Sequence, residues 1–303
     1  QKLIFDTCAK LAGENQPKAK NIPILPDKVK ATDLVSNTNS LVKLPIGYNK
    51  DAVSIEYFNF INNFMTPVSS QDTENTVSFM DALIYVGSKV ANTNVIVFDM
   101  LSTLKSKTEG NVVVSSNSEL LDKFILETET LTKIFKDNKE NVQSLANYKK
   151  YLVIINGLDK FVNKLSTDQK TSFETMLNNV REMKQICFIT LDNVNNYKKY
   201  EYEPWFKNSM GNQSGIWIGP GVGEQSAIRA SIPYNCKYKN CEVNYGVCIK
   251  NTKPIFIKQM EYNPESKGVT IIKNPVPLKL NPNLKNNENI VVVIVEKNTG
   301  RYG

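Results

Sequence analysis

The amino-acid sequence predicts an α/β domain with a mostly parallel central sheet that is flanked by helices. Apolar, strand-like segments alternate with longer, helix-like segments between about residues 52 and 194. The strands are apolar without a break, as in "NVIVFD" at 94–99, which is typical of parallel strands buried on both faces. Beyond about residue 200 the pattern changes to short strands and loops, which predicts added β-rich edge strands near the C-terminus.

Each element is predicted from its own pattern. Residues 52–60 alternate between apolar and polar, and residues 62–68 form an apolar run, so both segments are predicted to be strands. Ser166 is a candidate N-cap, because a serine side chain can accept a hydrogen bond from a free amide of the first helical turn. Helices are predicted at 73–90, 118–142 and 166–183. Further strands are predicted at 94–99, 151–161, 185–194, 215–219, 242–250, 253–260 and 290–295.

The chain is predicted to have two parts. Residues 1–45 form an N-terminal approach segment that packs on the domain, and Pro23 and Pro26 force an extended path within it. Residues 46–303 form the domain itself. The chain begins with Gln1 rather than methionine, so we expect it to be a piece of a longer protein.

The net charge of +7 raises the question of a nucleic-acid partner. The arginines are Arg181, Arg229 and Arg301, and the many lysines are scattered. Phosphate and base recognition rely on the planar guanidinium group, so we predict no nucleic-acid partner and keep DNA binding as a minor hypothesis. The apolar runs are too short to span a bilayer, so a membrane is expected only through the full-length protein.

The cysteines and the missing histidine limit the chemistry of the chain. Five cysteines at irregular spacing predict free thiols in a reducing compartment. The cluster "CKYKNCEVNYGVC" lacks the C-x-x-C spacing of a zinc site, so no metal site is predicted. Without histidine, serine or cysteine nucleophiles activated by an imidazole are excluded.

The turn between Val68 and Asn75 lies where a nucleotide-binding protein places its phosphate loop, G-x-x-x-x-G-K-S/T. The key positions of that loop fall on Val68, Thr73, Glu74 and Asn75. Glu74 replaces the lysine that would neutralise phosphate charge, and Asp72 lies beside it. The turn therefore predicts repulsion of a triphosphate, with the acids capping the helix instead. A strand, a turn and a helix in this order are also ordinary in α/β proteins without a nucleotide.

A second position also lacks the residues that an ATPase uses. ATPases end an apolar strand with an aspartate for magnesium, usually followed by a glutamate that orients the attacking water. In "YLVIINGLD" these places hold Asn156 and Gly157, which supply neither a charge nor a polarising group. Asp159 is predicted to be a loop or capping residue. We therefore predict no catalytic residue, no bound nucleotide and no metal.

Residues 200–225 contain a dense group of aromatic and apolar residues between glycine turns. Trp205, Phe206, Trp217 and Ile218 are candidates for binding an apolar peptide, because aromatic residues are common anchors in binding patches. The alternative, which we favour, is that these side chains fasten a loop onto the sheet.

Several phrases of the sequence together resemble a known family. "IPILPDKV", "LPIGYNKDAVSIEYFNF", "YLVIINGLDKF", "YEYEPWFK" and "GIWIGPGVGEQ" occur in an order that resembles the C-terminal, third ATPase domain of the EssC family. This family comprises the FtsK/SpoIIIE-type motors of type VIIb secretion. The resemblance covers nearly the whole chain. It implies a RecA-like P-loop NTPase fold on the cytoplasmic side of the cell membrane, within a membrane-anchored secretion complex.

The resemblance also implies a role in selecting secreted proteins, and two hypotheses follow. The leading one is a non-catalytic substrate-recognition and coupling domain, whose partners are secreted substrate proteins and the preceding ATPase domains of the same chain. ATP and magnesium belong to the family, but Glu74 and Asn156 argue against them here. The alternative is a weakly active ATPase, or one completed by an arginine of a neighbouring domain. Arg181 and Arg229 are predicted to be surface ion-pair partners.

Overall fold

The computed structural model describes residues 23–117, 119–137, 148–234 and 244–264. Within these residues ten strands form a single sheet. The strands are β1 Leu44–Asn49, β2 Ser54–Phe58, β3 Met65–Ser70, β4 Thr93–Asp99, β5 Val112–Ser115, β6 Lys150–Asn156, β7 Ile186–Leu191, β8 Gly215–Ile218, β9 Tyr245–Lys250 and β10 Lys253–Gln259. Their order across the sheet is β2-β1-β10-β9-β8-β3-β7-β6-β4-β5.

The sheet has a parallel and an antiparallel part. The neighbouring strands from β8 to β5 run parallel, whereas β9, β10, β1 and β2 continue the sheet in antiparallel pairs. The predicted α/β class with a mostly parallel central sheet is confirmed. The arrangement differs in one respect, because β9 and β10 lie inside the sheet and the N-terminal β1–β2 hairpin forms the outer part.

Helices cover both faces of the sheet. The helices are α1 Ala31–Leu34, α2 Val77–Ser88, α3 Glu119–Asp137, α4 Leu158–Lys164, α5 Thr167–Val180, α6 Val194–Tyr200 and α7 Pro204–Ser209. Short 3₁₀ turns lie at Val35–Asn37, Thr73–Thr76 and Arg181–Met183. Ser166 caps α5 as predicted, and its hydroxyl accepts from the amide of Gln169 at 3.2 Å in a full capping box.

Two hydrophobic cores, one on each face, explain why the central strands are apolar throughout. Val95 and Val97 of β4 pack in the core that contains α2, whereas Ile96 and Phe98 pack in the core that contains α3 and α5. Successive side chains of a strand point to opposite faces, so a strand covered on both faces needs apolar residues at every position.

The antiparallel part depends on a close approach between β1 and β10. Gly47 has φ +148°, and a Cβ built on it would lie 2.2 Å from the carbonyl oxygen of Lys258. Only glycine allows this contact without displacing the backbone. The contact secures β1 beside β10, where Gly47 lies opposite Gln259 in the register.

The described part of residues 1–45 contributes side chains to the core on the α2 face. Val29, Ala31 and Leu34 are buried in the core on the α2 face, and the amide of Ala31 donates to the carbonyl of Glu261 at 3.0 Å. The boundary between residues 45 and 46 stays a prediction. The predicted strand at 290–295 and Cys8, Cys236 and Cys241 lie outside the described residues. None of the described helices combines the length and the apolar character needed to cross a bilayer.

Candidate functional site at the carboxyl ends of the parallel strands

The register of the parallel strands brings together the polar residues that follow them. Asn156 at the end of β6 lies opposite Asp99 of β4 and opposite Leu191 of β7. Val68 of β3 lies opposite the same Leu191, which is followed by Asp192. The ends of β3, β4, β6 and β7, with the residues that follow them, therefore share one rim of the sheet, which we call the carboxyl edge.

The turn after β3 is closed by its own acid. Asp72 accepts a hydrogen bond at its Oδ1 from the amide of Glu74 at 3.0 Å, and its carbonyl accepts from the amide of Asn75 at 3.2 Å. Thr73 begins the 3₁₀ turn, and Val68 is fully buried in β3. The predicted cap is thus confirmed for Asp72, whereas the side chain of Glu74 is exposed. The Asp72 carboxylate thus occupies one of the free amides at the start of the helical segment that follows β3.

A loop after β8 lies against this turn, and the sequence does not predict this contact. Gly221 has φ +86°, and a Cβ built on it would lie 2.3 Å from Nε2 of Gln71. The same Nε2 donates to Oε2 of Glu224 at 3.3 Å. The side chain of Gln71 therefore fills the space between the turn and the loop. The glycines of this loop are evident in the sequence, but the sequence does not show that Gln71 packs against Gly221.

Asn156 is fully buried and bonds to its neighbours rather than facing a ligand. Its Nδ2 donates to Oδ1 of Asp99 at 2.6 Å and to Oγ1 of Thr103 at 3.0 Å. Its Oδ1 has no hydrogen-bond partner among the described residues. Such a buried, unpartnered oxygen costs about 1–3 kcal/mol. The amide nitrogen of the same side chain offsets part of this cost, because it is a neutral donor beside the Asp99 carboxylate.

Two acids hold the loop that follows β4. Asp99 accepts from the amide of Leu104 at 3.1 Å, and Asp81 of α2 accepts from the amides of Lys105 and Ser106 at 3.2 and 2.9 Å. The hydroxyl of Ser106 also donates to Asp81, at 2.6 Å. Burial raises the pKa of Asp81, against the opposing effect of these hydrogen bonds. These acids were not predicted as part of the site, because their partners lie on a loop without a sequence signal.

The prediction that Asp159 is a loop or capping residue is wrong, because Asp159 is a helical residue that makes no cap and pairs with other side chains. It lies in the first turn of α4, where it pairs with Nζ of Lys199 at 3.0 Å and accepts from the hydroxyl of Tyr200 at 2.9 Å. Burial opposes ionisation, but these hydrogen bonds and the ammonium lower the pKa of Asp159. Its amide donates to Oδ2 of Asp192 at 2.8 Å, so Asp192 satisfies the start of α4.

The four candidate peptide-binding residues lie in three different clusters. Trp205 is buried and Phe206 packs partly buried beside it in the core that contains α3 and α5. Ile218 is buried in the core on the α2 face. Trp217 is fully buried in a third cluster between β8, β9 and the following loop, and its Nε1 donates to the carbonyl of Pro220 at 2.8 Å. The geometry favours the alternative in which these residues fasten loops to the sheet.

The two interior arginines are not held by acids in the described residues. The Arg181 guanidinium lies 5.9 Å from the ring centroid of Phe64 and 3.5 Å from the hydroxyl of Ser209. Arg229 is exposed, and its amide donates to the carbonyl of Asn212 at 2.7 Å. The predicted surface ion pairs are therefore wrong for the described part of the chain, because neither arginine pairs with a carboxylate there. No cluster of three or more acidic or cysteine side chains suited to a metal occurs among the described residues either.

Comparison with known proteins finds similarity in structure alone. No protein-family model matches the chain, and no curated protein matches its sequence. The cytoplasmic domain of EssC matches with a TM-score of 0.65 and 12% identity, over 85% of this chain and 52% of that chain. EssC (ATPases 2 and 3) from Geobacillus thermodenitrificans matches with a TM-score of 0.63 and 13% identity, over 85% and 49%. Thermomonospora curvata EccC (ATPases 2 and 3), in complex with a signal sequence peptide, matches with 0.59 and 13%, over 82% and 46%.

The chain has the fold of these ATPase structures. The predicted fold, a mostly parallel sheet flanked by helices, is thereby confirmed. The chain spans about half the length of the first two structures, 52% and 49%. At 12–13% identity the likeness is one of fold, and it does not distinguish the second ATPase domain from the third.

Proposed function

We propose that the chain is a non-catalytic domain of a type VII secretion motor that recognises secreted substrate proteins and couples them to the motor. The observation that carries this proposal is the internal pairing of the carboxyl edge. Asp72 occupies the amide of Glu74, and Asn156 is bonded to Asp99 and Thr103. The fold of a secretion ATPase is kept, but the groups that would serve nucleotide chemistry have partners within the chain.

The residues at this edge do not fit a magnesium nucleotide. A triphosphate needs a cation at the position of Glu74 and free amides in the turn, and both conditions are unmet. A metal needs a carboxylate at the position of Asn156, whose amide nitrogen instead donates to Asp99. We therefore regard Val68, Thr73, Glu74, Asn75 and Asn156 as a degenerate nucleotide pocket, and we assign no catalytic step to the chain.

Substrate recognition is supported by a neighbour of the same fold. The EccC structure that resembles this chain is in complex with a signal sequence peptide. We extend that activity to this chain as a proposal, with secreted proteins of a type VII system and the preceding ATPase domains of the same motor as its partners. The full-length protein would then hold the domain at the cytoplasmic side of the cell membrane.

The alternative function is an ATPase that is completed by a neighbouring domain. Within this chain, Arg181 is the arginine that could take part in such sharing between domains, because its partly buried guanidinium has no acidic partner among the described residues and its Nε has no hydrogen bond there. In the full-length motor, turnover that falls when Arg181 is replaced by Ala would support the alternative. Turnover that is unchanged in Glu74→Gln and Asn156→Ala supports the non-catalytic proposal.

The direct test is binding of a labelled substrate protein to the chain. A secreted protein of the type VII system is labelled with a fluorophore, and the same protein without its C-terminal export segment serves as the matched control. We expect saturable binding with a Kd of about 1–10 μM, which is lost in the truncated control. Equal binding of both forms, or of neither, would contradict substrate recognition by this domain.

A further inference from the structure

The two outermost strands of the sheet, β5 and β2, differ in whether the backbone groups on their outer sides are hydrogen-bonded. At β5 the amide and carbonyl of Val112 bond to the carbonyl and amide of Glu109, both at 3.0 Å. The amide and carbonyl of Val114 bond to Oγ1 of Thr108 at 2.9 and 3.2 Å. The loop before β5 therefore covers the outer edge of this strand. Covering an edge in this way prevents another chain from pairing with it.

The opposite edge, at β2, has no comparable cover in the described part of the chain. The strand Ser54–Phe58 pairs with β1 on its inner side. Outside that pairing, no described residue forms a hydrogen bond to the backbone of Ser54–Phe58. An open strand edge offers a row of free donors and acceptors, which is the arrangement that binds an extended peptide as an added strand.

A groove continues from the end of this edge. Its volume is about 500 Å³, and it reaches from the end of β2 to the turn between β9 and β10. Exposed or half-exposed amide side chains line it, and they can both donate to and accept from a peptide backbone. The lining includes Val42, Tyr57, Asn59, Asn62 and Asn251. The side chain of Val42 is half exposed, which adds an apolar contact beside the amides.

The charge around the edge selects an acidic occupant. Nζ of Lys43 lies 4.6 Å from the ring centroid of Tyr57, and Lys43 has no carboxylate partner among the described residues. The acid within β2, Glu56, is already paired with Lys250 and also accepts from Asn49 at 3.2 Å. Lys43 is therefore a positive charge beside β2 that no described carboxylate compensates, and a carboxylate on an added strand would compensate it.

We propose that the outer edge of β2 binds an extended, acidic polypeptide segment of a partner protein by strand addition. The backbone of the segment continues the sheet beside β2, its end lies in the amide-lined groove, and one of its carboxylates approaches Lys43. The proposal depends on the geometry of β2 and not on the state of the nucleotide pocket. Binding at β2 and the absence of nucleotide binding are therefore separate results.

The test uses designed peptides and the full chain. The probe is a fluorescein-labelled, eight-residue peptide of alternating valine and glutamate, followed by fluorescence anisotropy. One control peptide has lysine in place of glutamate, and another keeps the acidic side chains but has N-methylated backbone amides. We expect both controls to bind at least about tenfold more weakly than the acidic probe. The lysine peptide lacks the negative charges, and the N-methylated peptide lacks the backbone donors. Equal binding of either control, or no binding of the acidic probe at about 1 mM, would overturn the proposal.

A pair of charge-reversal variants locates the site. Lys43→Glu is expected to weaken binding of the acidic probe about fivefold, as is usual when one exposed ion pair becomes a repulsion. Lys133→Glu is the matched control, because Lys133 is also an exposed lysine and lies on helix α3, which follows β5 at the opposite end of the strand order from β2. Its affinity is expected to stay within twofold of the unmodified chain. The same loss of affinity in both variants would show that the probe responds to the overall positive charge of the chain, and it would contradict the assignment to β2.

Discussion

The carboxyl edge and the outer edge of β2 are two rims of one sheet, and they differ in how far their polar groups are hydrogen-bonded within the described part of the chain. At the carboxyl edge, Asp72, Asn156 and Asp192 each bond to other groups of the same chain. At β2, the backbone has no partner beyond β1 within the described residues. A ligand binds through groups that are free to receive it. We therefore expect a partner to bind at β2 rather than at the turn after β3.

The largest expected effect comes from placing an acid at the end of β6. Asn156→Asp places a second buried carboxylate beside Oδ1 of Asp99, which now lies 2.6 Å from the Asn156 amide nitrogen. Two carboxylates at this distance repel, so we expect the free energy of unfolding to fall by about 3 kcal/mol at pH 7. Chemical denaturation measures the loss.

The pH dependence of this loss identifies its cause. The repulsion raises the pKa of the pair in the folded state, so the penalty should shrink as the pH falls toward 5 and one carboxyl is protonated. The control Asn179→Asp, at an exposed position of α5, should change stability by less than about 0.5 kcal/mol at either pH. A pH-independent loss in Asn156→Asp would point to packing and would weaken the description of a self-paired edge.

An intermediate effect is expected where the β8 loop rests on the turn. Gly221→Ala adds a Cβ at φ +86° and within 2.3 Å of Gln71, so the loop must move or Gln71 must leave. We expect a loss of about 2 kcal/mol in unfolding free energy from backbone strain and lost contacts. Gly211→Ala is the control, because a Cβ there meets no atom within 4 Å. Equal stability of the two variants would mean that the loop does not close the turn.

The smallest effect concerns the ion pair at α4. The pKa of Asp159 is lowered in the folded state, so the stability it contributes is present at neutral pH and is lost as the pH falls through its folded pKa. Asp159→Asn should cost less than about 1 kcal/mol at pH 7 and should make stability less dependent on pH in the acid range. Curves of unfolding free energy against pH that stay parallel for the two proteins would contradict this role.

The sequence predicts elements whose burial pattern repeats over a few neighbouring residues. It does not predict contacts between segments that are distant in the chain. The strand at 94–99 and the capping serine at 166 were predictable from local pattern, and both are present. The hydrogen bond between Asn156 and Asp99 spans 57 residues, so it depends on a strand order that a single sequence does not reveal. The order of strands also decides which edge is open.

The alternation of side chains along a strand argues against the predicted peptide-binding residues forming one site. Trp217 and Ile218 are adjacent in β8, and adjacent side chains of a strand point to opposite faces. The structure accordingly places them in different clusters. A single peptide groove formed by both residues was therefore unfavourable on the strand periodicity alone.

Because the polar groups of the carboxyl edge are paired within the chain, we expect that the turn after β3 does not bind a triphosphate. The direct measurement is a titration of the chain with a fluorescent ATP analogue in the presence of magnesium, with unlabelled ATP as competitor. The account predicts no saturable binding up to about 1 mM analogue. Saturable binding at micromolar concentration that unlabelled ATP competes away, and that Glu74→Arg changes, would contradict it.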